Sequence, residues 1–139
     1  MRKGCAWLLS IVLVLCWLPS AIVSSEEELA VDEVYLLVRE KELMAFSAVA
    51  DVWVTEKFRP NERVLDSKSG GRVAVAFTNF RVLAFSALTS KWTEERLMVD
   101  ESMVSIKAKG NVGAAVTNLR ALGFSAKTGK WVIKRFPVK

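Results

Sequence analysis

The chain has 139 residues, 52% of them hydrophobic and 25% charged, with a net charge of +5 and no histidine. That length suits one domain, and the missing histidine removes the commonest general base and metal ligand. Setting aside Arg2 and Lys3 leaves 18 basic against 15 acidic residues, a net of +3, which argues against a nucleic-acid partner because such proteins show a clustered basic face.

Residues 1–25 have the layout of a secretory signal peptide. Arg2 and Lys3 form a positive start, residues 6–18 an apolar stretch, and Pro19-Ser20 a break. Val23 and Ser25 occupy the −3 and −1 positions of a cleavage site before the acidic run Glu26, Glu27 and Glu28. The alternative is an uncleaved anchor, since residues 6–23 reach the ~18 apolar residues that can span a bilayer. Leu15 before Cys16 argues against lipidation, which needs a small residue there. On either reading residues 26–139 lie outside the cytoplasm, in the periplasm or medium or held at the membrane surface. Both cysteines, Cys5 and Cys16, belong to the export segment, so the remainder has no disulfide and is stabilised by packing.

A repeat fills the exported part. Phe-Ser-Ala begins at Phe46, Phe85 and Phe124, a spacing of 39 residues, and Trp53, Trp92 and Trp131 recur at the same interval. Residues 72–100 match residues 111–139 at 14 of 29 positions without a gap, where unrelated sequences would match at about two. The spacing divides the chain into units at residues 34–72, 73–111 and 112–139, the third lacking the segment that follows tryptophan in the other two.

Within a unit the pattern is one of short strands. Residues 73–77 are an apolar run, Thr78-Asn79 a turn, residues 81–86 a second strand, and residues 89–91 a polar turn. Trp92 opens a third strand, and residues 103–107 alternate apolar and polar, as a half-buried strand should. In the last unit Gly129 supplies the positive φ of a hairpin turn. Residues 69–71 and 109–111 separate the units. Residues 73–76 and 112–115 are small or β-branched throughout, which predicts burial on both faces, as for the innermost strand of a propeller blade. The fold expected is therefore all-β, with three tandem four-stranded repeats forming a partial β-propeller. A β-trefoil, also threefold, is the alternative.

Residues 122–131, Leu-Gly-Phe-Ser-Ala-Lys-Thr-Gly-Lys-Trp, resemble the blade motif of pyrroloquinoline-quinone-type propellers. The stretch from Thr117-Asn118-Leu119-Arg120 to Ser125 is similar to a signature of uncharacterised exported bacterial propeller proteins. The resemblance implies architecture across residues 34–139. The metal and cofactor residues of the quinone enzymes have no counterpart here, so it implies no cofactor, no metal and no catalytic residue.

Few residues offer chemistry. No Ser-His-Asp set, phosphate loop or nucleophile elbow is present, and the pairs Glu94-Glu95 and Asp100-Glu101 read as solvated charge. The candidate ligand-binding residues are Trp53, Trp92 and Trp131, which would either stack on sugar rings or plug the gaps between blades. Arg81 and Arg120, with Asn79 and Asn118 in the repeated Thr-Asn-x-Arg turn, would grip an anion or shape a turn and pair with a carboxylate. The function expected is non-catalytic binding or structure, with a carbohydrate-binding lectin as alternative. Three blades cannot close a ring, so a dimer is expected, with a saccharide or another protein as further partner.

Overall fold

The computed structural model describes residues 31–139; the candidate signal peptide and its cleavage site lie outside the described residues. The chain is all-β, with eleven strands and no helix among the described residues. They are β1 (Val34–Val38), β2 (Glu42–Ser47), β3 (Val52–Lys57), β4 (Val64–Gly70), β5 (Val73–Thr78), β6 (Arg81–Ser86), β7 (Lys91–Arg96), β8 (Met103–Lys109), β9 (Val112–Thr117), β10 (Arg120–Ser125) and β11 (Lys130–Arg135). Hydrogen bonds join them into three antiparallel meanders: a first sheet β1-β2-β3, a second β4-β5-β6-β7 and a third β8-β9-β10-β11.

Register repeats with the sequence. Phe46 pairs with Trp53, Phe85 with Trp92 and Phe124 with Trp131, each pair with ring centroids 5.2–5.3 Å apart. Directly opposed side chains lie on the same face of a sheet, so every sheet has an aromatic face carrying this pair. Its opposite, receiving face carries Val34 and Ala45 in the first sheet, Val73 and Ala84 in the second, and Val112 and Gly123 in the third. The turn after each Phe-containing strand needs a left-handed residue. Gly129 takes it in the third sheet (φ 65°), and Asp51 and Ser90 adopt it at 55° and 54° in the other two.

The sheet boundaries differ from the sequence units. Residues 69–71 and 109–111 are hairpin turns inside the second and third sheets, joining β4 to β5 and β8 to β9. The breaks between sheets fall at residues 58–63 and 97–102. The third sheet consequently has four strands, and the first shows three among the described residues. A periodic pattern has no inherent starting point, and only the β4–β5 and β8–β9 ladders reveal its phase. For the same reason β5 is the second strand of its sheet, not the edge strand.

The sheets stack face to face. The aromatic face of the second sheet, with Ala74, Phe85 and Trp92, packs on Val34, Leu36, Ala45 and Val54 of the first. That of the third, with Phe124 and Trp131, packs on Val73, Val75, Val82 and Ala84 of the second. Every residue of β5 and β6 is buried, because the second sheet is covered on both sides. The matching strand β9 buries only alternate residues, since no described sheet lies beyond it. The two-sided burial expected of residues 112–115 is thus absent.

Close stacking needs small residues between the aromatics. A Cβ added to Gly113 would lie 2.8 Å from Val73 Cγ1 and 2.9 Å from Val75 Cγ2. Gly113→Val should therefore lower stability by about 1–3 kcal/mol through overpacking. Val99→Ala, at a loop position 87% exposed, should leave the melting temperature unchanged in the same thermal-unfolding series.

Candidate functional site

The polar residues of the repeated Thr-Asn-x-Arg turn converge on a buried carboxylate. In the second sheet Glu62, from the β3–β4 loop, accepts hydrogen bonds from Arg81 Nε at 2.9 Å and Nη2 at 3.0 Å. It also accepts from the Thr78 hydroxyl at 2.7 Å and the Arg59 amide at 3.0 Å. The third sheet repeats this with Glu101, which accepts from Arg120 Nε at 2.8 Å and Nη2 at 2.9 Å, Thr117 at 2.6 Å and the Met98 amide at 2.9 Å. Both carboxylates are fully buried.

The remaining donors of Arg81 are also spent. Its Nη1 reaches Glu56 at 2.9 Å and Glu94 at 2.6 Å, and its Nη2 donates to Lys57 O at 3.0 Å. Glu56 and Lys57 belong to the first sheet, so Arg81 ties two sheets together. Arg120 does the same across the next seam, donating to Arg96 O at 2.6 Å with Glu95 4.0 Å away.

Burial pushes the Glu62 and Glu101 carboxyls up, but the arginine, threonine and amide donors outweigh it and hold both below the ordinary carboxylate value of 4.5. Burial alone would likewise lower the Arg81 pKa; its hydrogen bonds to Glu62, Glu94 and Glu56 raise it instead. These are structural ion pairs: every Arg81 donor group is used within the fold, and Arg120 spends Nε and Nη2 in the same way, with its Nη1 4.0 Å from Glu95. Asn79 bridges Asn61 O and the Arg63 amide at 2.9 and 2.8 Å, and Asn118 bridges Asp100 O and the Ser102 amide at the same distances. Both side chains lock a loop.

Glu101 is thus buried and paired, not solvated as adjacency to Asp100 suggests. Sequence reasoning missed Glu62 altogether. The available signal was that Glu62, Thr78 and Arg81 recur together 39 residues on, as Glu101, Thr117 and Arg120.

The tryptophans divide. Trp92 is half-buried against the first sheet and donates its indole N–H to Val54 O at 3.0 Å. Trp131 does the same to Thr93 O of the second sheet at 3.3 Å. Trp53 is 50% exposed, flanked by Phe46 and by Tyr35, itself 61% exposed, at a centroid distance of 6.3 Å edge-on. With Leu37 and Met44 these rings form the aromatic face of the first sheet, covered by no other described sheet. Of the seven candidate residues, the structure brings Arg81, Arg120, Asn79 and Asn118 into internal networks and Trp92 and Trp131 into seams. Trp53 alone lies on a broad open surface.

No family model matches the sequence, and no curated protein matches it either. Among the described residues no three His, Cys, Asp or Glu side chains come together to hold a metal ion.

Two outcomes follow from the buried pairs. Glu62→Gln should cost about 1.5–3 kcal/mol in urea denaturation, because it weakens the charge-assisted hydrogen bonds of a buried guanidinium. Arg81 then keeps only the part-exposed Glu56 and Glu94 as counter-charges. Glu56→Gln, at the half-exposed edge of the cluster, should cost under about 1 kcal/mol. Because both buried carboxyls have a depressed pKa in the fold, their stabilisation is complete above 4.5 and is lost as pH falls through the lower folded values. Melting temperature measured against pH should be flat above about pH 5 and drop below about pH 4.5, and Glu62→Gln should flatten that drop.

Proposed function

We propose that the chain is an exported, non-catalytic binding or structural protein, built as a partial β-propeller whose working surfaces are the end faces of the stack. The observation that carries this reading is the contrast between equivalent aromatic pairs. Phe85–Trp92 and Phe124–Trp131 fill seams, while Phe46–Trp53 stands open to solvent on the first sheet. The repeated polar residues are spent on internal bonds, which leaves recognition to an apolar face.

The blade reading is supported by the way the sheets approach one another. Adjacent sheets meet closely through β4 and β8 and through β1 and β4, and only thinly through β7 and β11 or β3 and β7. Meanders that converge at the first strand and part at the last fan out as blades do. No hydrogen-bonded ladder joins one sheet to the next among the described residues, which disfavours the trefoil with its closed barrel. Export rests on the layout of residues 1–25, which also argues for the periplasm or medium as the location of the repeat.

A lectin is the second reading, favoured by the exposed rings of Tyr35 and Trp53 beside half-buried Phe46. Trp92→Ala should cost about 3 kcal/mol of stability, because it empties a seam, while Trp53→Ala should cost under about 1 kcal/mol in the single, undimerised chain, where its ring is 50% exposed. Tryptophan emission that is unchanged by saccharides supports the assembly reading. A saccharide-dependent shift abolished by Trp53→Ala would make the lectin the better one.

A further inference from the structure

The ends of the stack differ from its interior in ways that match each other. Three inter-sheet ties recur at each seam. Ser47 donates to Ala87 O at 2.8 Å and Ser86 to Ala126 O at 2.6 Å. Trp92 and Trp131 donate to Val54 O and Thr93 O, and Arg81 and Arg120 donate to Lys57 O and Arg96 O. At the ends the same ties stop at their halves. The first sheet offers the Trp53 indole N–H and Ala48 O, and the third offers Val132 O and the Ser125 hydroxyl.

The charges at these ends are reversed as a pair. At both seams an arginine on the aromatic face meets a glutamate on the receiving face, Arg81 with Glu56 at 2.9 Å and Arg120 with Glu95 at 4.0 Å. The arginine position of the first sheet holds Glu42, and the glutamate position of the third sheet holds Lys134. Among the described residues Glu42 pairs with Arg39 of its own turn, at 3.3 Å, and Lys134 is exposed.

The volumes are exchanged too. On the aromatic face Tyr35 replaces Ala74 and Gly113, and Leu37 replaces Ala76 and Ala115, so the first sheet has gained bulk. On the receiving face Ala114 replaces Leu36 and Val75, Ala121 replaces Leu43 and Val82, and Gly123 replaces Ala45 and Ala84. The third sheet has lost bulk at the positions that the enlarged side chains would meet. Gly113 touches Val73 and Val75 at its seam, so its counterpart Tyr35 would lie over Val112 and Ala114.

We propose that the occupant of each end is a second copy of this chain, docked with the aromatic face of its first sheet on the receiving face of the other's third sheet, Glu42 opposite Lys134. Two copies make this contact twice about a twofold axis. The resulting six sheets fall within the four to eight of closed propellers. The closure rests on the blade reading above.

The test uses protein recovered from cells expressing the full sequence, with sedimentation at micromolar concentration and circular dichroism to verify folding. The natural sequence should be a dimer. Glu42→Lys and Lys134→Glu should each weaken it by at least about tenfold, since each juxtaposes like charges at both contacts. Mixing the two variants should restore a heterodimer. One of its contacts then joins the two substituted positions, with the charges swapped but still opposite, and the other keeps Glu42 against Lys134 as in the natural sequence. A chain carrying both substitutions should dimerise alone. A folded monomer of the natural sequence, a dimer indifferent to both substitutions, or weakening without recovery on mixing would each overturn the head-to-tail dimer. The Trp92→Ala cost, at a seam inside one chain, tests the blade stack apart from these outcomes, and Trp53→Ala is compared with it in the Glu42→Lys chain, where no second copy covers the first sheet.

Discussion

The distance between neighbouring sheets is the constraint on which everything else rests. Phe85 and Trp92 reach the first sheet, and Phe124 and Trp131 the second, because the strand beside them in each case carries Ala74 or Gly113. Packing interiors to near crystal density leaves no room for compromise at such positions. With the spacing set, the indole N–H groups, the Ser47 and Ser86 hydroxyls and the arginine side chains all fall within hydrogen-bonding distance of a carbonyl on the next sheet. Polar ties of this kind add little net energy in water but are costly to strand in a dry seam, so they lock register more than they supply stability.

The Glu–Thr–Arg clusters extend the same logic to the loops. Glu62 and Glu101 sit in the connections between sheets, and each gathers donors from its loop, from a β-turn and from an arginine that also reaches the previous sheet. A loop that would otherwise be free is thereby fixed to two sheets at once. A buried ion pair is weak evidence for stability in itself, and its use here is to define how one meander follows the next.

Much of this was legible in the sequence. Strands β5, β6, β7 and β8, the turns at Thr78-Asn79 and Thr89 to Lys91, and the positive φ of Gly129 follow from local pattern and turn chemistry. Alternating and continuous apolar runs encode which face a residue takes, and turn residues encode their own backbone. The phase of the repeat was hidden, because Ser69-Gly70-Gly71 reads equally as a hairpin or as a boundary. Glu101 was misread because its partner Arg120 lies 19 residues away, and adjacency to Asp100 says nothing about a contact made through space. The different fates of Trp53 and Trp92 were invisible for a related reason: identical residues in similar repeats differ only in whether a neighbour exists.

The complete burial of β5 and β6 has a kinetic side. In a linear stack each meander is stabilised by its own strands and by its immediate neighbours. An interior meander therefore has two seams within its own chain to lose before it opens, while a terminal one has one, and a second only while another copy stays docked. Amide protons of β5 and β6 should exchange with solvent only through the largest opening of the molecule, and those of β2 and β10 through smaller, end-first openings. Among the described residues the slowest-exchanging amides then lie in β5 and β6, and protection falls from there toward β1 and toward β11.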